Sequence, residues 1–110
     1  MAVIADWIEE IAGDEEIECV IVGDYGFDGW GVTKKFNDVR TNAPISWKEA
    51  KPFLSYEYDC DHGGADCHPV FAYTPTKIIT IKEYDGATGP AWYPRHPMEC
   101  KVGFDGVCDD

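Results

Sequence analysis

Residues 77–93 read KIITIKEYDGATGPAWY, and their pattern decides the class of fold. The run from Lys77 to Lys82 is β-branched at its centre and charged at its ends, the composition of a half-buried strand. Tyr84-Asp85-Gly86 follows as a tight-turn signal, because Asp tolerates and Gly favours the left-handed backbone of a two-residue hairpin turn. The chain resumes at Ala91-Trp92-Tyr93, and Pro94 and Pro97 end that strand because proline cannot donate to a ladder. Upstream, residues 70–73 are expected to pair with the Lys77 strand across Thr74-Pro75-Thr76. The second half of the chain therefore reads as an antiparallel meander.

Outward from this hairpin, the first half adds helices and a further strand. In residues 3–12 the apolar positions Val3, Ile4, Trp7, Ile8, Ile11 and Ala12 recur at helical spacing, and Gly13 stands where a helix stops. Residues 16–22 alternate, with Ile17, Cys19 and Ile21 on one face and Glu18, Val20 and Val22 on the other; the reading puts Cys19 among core residues. Residues 32–39 read as another strand, broken by Thr41-Asn42-Ala43-Pro44. Ser46-Trp47-Lys48-Glu49 has the form of a capping box opening a helix that buries Trp47, Ala50 and Leu54. Pro52 keeps that helix short or kinked. Gly-Phe-Asp-Gly occurs at 26–29 and again at 103–106 without matching flanks, so it reads as a reused hairpin turn. The tail, with Cys100, Cys108, Asp109 and Asp110, reads as a last edge strand or a frayed end. The expectation is one domain over 1–110, α+β, with an antiparallel meander of about four to six strands, an N-terminal amphipathic helix and a second short helix.

Charge narrows the function. The 110 residues hold 21 Asp and Glu against 9 Lys and Arg, a formal net charge of -12. Such an excess disfavours direct binding to nucleic acid and to anionic membranes, whose phosphates it repels. The first residues, MAVIADWIEE, lack the basic start and apolar run of a signal peptide, and nothing approaches a membrane-spanning length. A cytoplasmic protein with five reduced cysteines is the expectation.

Three groups of residues invite chemistry. Cys60, His62, Cys67 and His68 lie within nine residues and are the ligand types that zinc takes in a tetrahedron. Their C-x-H and adjacent C-H spacings differ from the usual C-x2-C knuckle, so a fourth ligand from His96, Cys100 or Cys108 would be needed. The competing readings are a buried Cys67 with a locally hydrogen-bonded His68, and a Cys60–Cys67 disulfide. Thiol catalysis at Cys67 is disfavoured, because Asp59, Asp61 and Asp66 oppose the thiolate that it requires. The second group, Tyr84, Trp92, Tyr93, Arg95 and His96, offers aromatic faces and a cation able to grip a small anion, in one chain or in a pocket between two copies. Arg95 paired with an acid is the structural alternative. The third is acidic: Asp6, Glu9, Glu10, Asp14, Glu15 and Glu16 in the first eighteen residues, and Glu57, Asp59, Asp61 and Asp66 around the Cys/His loop.

The segments Tyr56-Glu57-Tyr58-Asp59, Asp66-Cys67-His68-Pro69, Ala72-Tyr73-Thr74, Glu83-Tyr84-Asp85-Gly86 and Pro94-Arg95 resemble small accessory proteins of unknown function encoded by tailed bacteriophages. The resemblance implies a short acidic protein that acts in the host cytoplasm on a host or defence protein, for instance as an anti-CRISPR-like inhibitor of a nuclease. Charge arithmetic permits mimicry of nucleic acid if the acids cluster on one face: at one charge per about 1.7 Å of duplex, twelve charges match roughly 20 Å of helix. The function expected is that of a protein-binding inhibitor whose acidic residues occupy a basic, nucleic-acid-binding surface. The alternatives are a binder of a nucleotide signal at the aromatic and Arg95 group, and a zinc-stabilised module.

Overall fold

A computed structural model gives the fold and describes residues 1–25, 40–61 and 67–108. In chain order its elements are α1 (Ile4–Ala12), β1 (Cys19–Val22), β2 (Pro44–Ile45), α2 (Trp47–Ala50) running into a 3-10 turn over Lys51–Leu54, β3 (Val70–Tyr73), β4 (Lys77–Tyr84), β5 (Ala87–Pro94), β6 (Val102–Gly103) and β7 (Gly106–Val107). The fold is α+β, with an N-terminal helix against an antiparallel sheet. The expected strand at 32–39 and the first Gly-Phe-Asp-Gly fall outside the described residues.

The hairpin that the sequence announces is the largest piece of the sheet. β4 and β5 pair from Lys77 opposite Pro94 to Tyr84 opposite Ala87. Asp85 and Gly86 between them have φ of 53° and 86°, the paired left-handed conformation that suits the twist of the strands. The full order is β2-β1-β3-β4-β5, antiparallel throughout. Only β3, β4 and β5 form the expected meander, for β1 lies between β2 and β3. The Cys-Val-Ile-Val run of β1 is apolar toward both faces and fits an interior position, whereas β2 carries Pro44, which is tolerated at an edge.

Register places the core. Ile45, Val20, Ala72, Ile79 and Trp92 form one row across the five strands. α1 lies against this side of the sheet and buries Ile4, Ala5, Ile8 and Ala12. Cys19 corrects the sequence reading. It is only half-buried and points away from the helix with Ile21, while Val20 and Val22 are fully buried. Within Cys19–Val22 both parities are apolar, so only pairing with Ala72 and Val70 decides which one faces the core.

Smaller contacts close the structure. The Ser46 hydroxyl accepts from the Glu49 N–H at 3.1 Å, the predicted cap, and the α-helix gives way to the 3-10 turn next to Pro52. Ala2 and Tyr58 exchange backbone hydrogen bonds at 2.9 and 3.0 Å, fastening the start of the chain beside residue 58. β6 and β7 form a separate two-stranded hairpin rather than a further strand of the sheet. It packs on β5 at Trp92, where Gly106 comes so close that a Cβ would lie 2.4 Å from the Trp92 carbonyl oxygen.

Candidate interaction surface

The acids near the N-terminus divide by what they touch. Glu9, on the outer side of α1, accepts from Lys51 Nζ at 2.8 Å and from Trp47 Nε1 at 3.4 Å, tying α1 to α2 and the 3-10 turn. The lysine holds its carboxyl below the ordinary value of 4.5. Glu15 accepts from the hydroxyls of Thr74 and Thr76 at 2.5 and 2.6 Å, with Lys77 Nζ at 3.7 Å. These bonds, Thr74 first, lower its pKa as well. It thus pins the β3–β4 turn to the segment that follows α1. Glu18, left out of the acidic candidates, pairs with Arg95.

The remaining acids are spread on the surface. Asp6, Glu10, Asp14, Glu16 and Glu57 are exposed and enter no ion pair or side-chain hydrogen bond among the described residues. Asp6 and Glu10 are one helical turn apart on α1, opposite its buried residues, and Asp14 and Glu16 continue from its C-terminal end. Glu57 joins them because the Ala2–Tyr58 bridge sets residue 57 beside the N-terminus of α1. Asp59 is half-buried and accepts from the Asp61 N–H at 3.0 Å, forming a local turn; Asp61 is exposed. Asp66 lies outside the described residues.

Cys67 and His68 are 2% and 0% exposed. The Tyr56 hydroxyl accepts from the His68 backbone N–H at 2.9 Å and lies 2.8 Å from its Nδ1, so one hydroxyl serves both groups. Tyr25 stands edge-on to the same ring. Burial pushes the Tyr56 and Tyr58 hydroxyls well above the ordinary 10. Cys60 is half-buried and its thiol donates to Asp61 at 3.7 Å. All five cysteines are free thiols. His62 lies outside the described residues, and among the described ones no three His, Cys, Asp or Glu side chains converge as a metal site would need.

The aromatic and Arg95 group is dispersed by the sheet. Trp92 faces the core side with Lys77 Nζ 5.2 Å from its ring centre, and Tyr93, one residue on, faces the opposite side. Tyr84 stands at the far end of β4, about 23 Å from the Arg95 end at roughly 3.3 Å per residue. It lines a cavity of about 340 Å³ with Lys82, Glu83, Thr88, Gly89 and Asp105, away from Arg95. Arg95 donates to Glu18 and to the Thr74 carbonyl at 2.9 Å and lies over the Tyr73 ring. His96 is exposed. The Glu18–Arg95 pair joins residues 77 apart, a partnership that sequence spacing gives no means of finding.

No protein-family model, curated protein or solved structure matches this chain.

Proposed function

We propose that this chain works by binding a protein, setting the exposed acids on and around α1 against a basic surface that the partner otherwise uses for nucleic acid. One observation carries the reading: among the described residues Asp6, Glu10, Asp14, Glu16 and Glu57 form no ion pair or side-chain hydrogen bond, while neighbouring Glu9, Glu15 and Glu18 all do. Position strengthens it. Glu10 sits in the last turn of α1 and Asp14 just beyond, at the negative end of the helix dipole, where α1 has no basic residue. A carboxylate there costs about 0.3–1 kcal/mol at low ionic strength. Acids such as Glu10 and Asp14, kept where they weaken the helix and unbonded among the described residues, suit a contact with something outside the fold.

The test separates this role from a structural one. A variant with Glu10→Gln, Asp14→Asn, Glu16→Gln and Glu57→Gln is compared with the parent as immobilised bait in bacterial lysate. The parent is expected to retain a nucleic-acid-binding protein that short duplex DNA or raised salt displaces. The variant should retain none while melting at the same or a higher temperature. Capture that persists in the variant, or that duplex DNA cannot compete away, would refute the proposal.

A further inference from the structure

The register that turns Val20, Ala72 and Ile79 toward α1 turns Ile21, Phe71, Tyr73, Ile78 and Tyr93 to the other side of the sheet. Phe71 keeps 51% and Tyr93 45% of its surface exposed. Two apolar hollows open beside them, one of about 190 Å³ at Ile21, Pro69 and Phe71 and one of about 210 Å³ between Tyr93 and the β6–β7 hairpin. Among the residues of β1, β3, β4 and β5 pointing this way, the only charged one is Lys82. In a chain where charged residues make up 27%, so uncharged a face stands out, and exposed apolar patches mark contact sites.

We propose that this face joins two copies of the chain about a two-fold axis. A two-fold contact sets a patch against itself, so a patch of one sign repels and only a neutral or mixed one can close. The centre of this face is apolar; at its Tyr73 end the Arg95 guanidinium, paired with Glu18, lies over the ring, and at its Lys82 end Glu83 and Asp105 line the same cavity, so both signs meet at each end. A two-fold contact through the exposed acids on and around α1 would instead set acids against acids. Face to face, the copies stack as helix, sheet, sheet and helix. At about 10 Å per layer the two acidic sides then lie roughly 30 Å apart. That is several times the screening length of about 8 Å at physiological ionic strength. Its acids are each set beside a cation, Lys82 or Arg95, which distinguishes this surface from the acidic one. The dimer presents two acidic sides pointing outward and can hold two partner sites at once.

Sedimentation equilibrium of the full chain at 1–100 µM, in 50 and 500 mM NaCl, tests the proposal. The expected result is a species of twice the chain mass whose dimer fraction rises with salt, because salt screens the repulsion and leaves apolar contact intact. Phe71→Asp, which places two like charges across the axis, should raise the dissociation constant at least 100-fold with an unchanged circular dichroism spectrum. If that variant fails to fold, Tyr93→Asp serves in its place. A monomer at 100 µM in both salts would overturn the proposal. So would a dimer that both variants leave intact, or association that continues past two copies.

Discussion

Tyr56 shows how much one hydroxyl can organise. It serves both the backbone N–H and the ring of His68, a side chain with no exposed surface. Tyr56→Phe removes that shared partner inside the core and should cost about 1–3 kcal/mol, read as a lowered urea midpoint with unchanged slope. Burial also raises the ionisation of Tyr56 and Tyr58. The unfolded chain then releases protons near pH 10 that the native chain keeps, so stability falls as pH rises through 10. In ultraviolet titration, Tyr56 and Tyr58 are expected to stay protonated past that pH and to ionise only as the chain unfolds. Ionisation of both near pH 10 in the folded state would contradict this.

At the scale of elements, each piece is held by a contact that its own sequence does not contain. α1 is tied to the 3-10 turn by Glu9 and Lys51, and the β3–β4 turn to the end of α1 by Glu15. The β6–β7 hairpin depends on Gly106, whose φ of 104° and missing Cβ let it meet the Trp92 backbone. Gly106→Ala brings strain and a clash at once, and should lift this hairpin from β5. The expected signs are a loss of about 1–3 kcal/mol, consistent with strain at a special backbone conformation, and a change in tryptophan emission. A variant with the parent's melting temperature and emission would show the contact to be dispensable.

For the whole molecule, charge sets the response to pH and salt. The depressed ionisations of Glu9 and Glu15 contribute stability that is present above their unfolded value of 4.5 and lost as pH falls below it. Above that range, lowering the pH from 7 removes net negative charge and relieves self-repulsion. The melting temperature should therefore rise from pH 7 toward about 5 and fall below about 4.5, with Thr76→Ala reducing the acid-side fall. Salt at pH 7 opposes two effects, screening the repulsion and weakening the pairs of Glu9, Glu15 and Glu18. These pairs are open to solvent and individually weak, so the repulsion should win and 0.5 M NaCl should raise the midpoint by about 2–5 °C. A midpoint lowered by salt would mean that the pairs outweigh the net charge.

The sequence by itself determined the parts whose causes are local. The Asp85-Gly86 hairpin, the strands on either side of Thr74-Pro75-Thr76, the amphipathic first helix and the Ser46 cap all follow from neighbouring residues, through turn conformation, period and capping. Tertiary structure alone decided what depends on residues far apart. It inserted β1 between β2 and β3, turned Val20 rather than Cys19 inward, drew Arg95 to Glu18 and separated Tyr84 from Tyr93 along one hairpin. It also sorted the acids into those bonded within the fold and those left outside it. Strand register and long-range pairing are properties of two segments at once, and a pattern read along one segment carries no record of its partner.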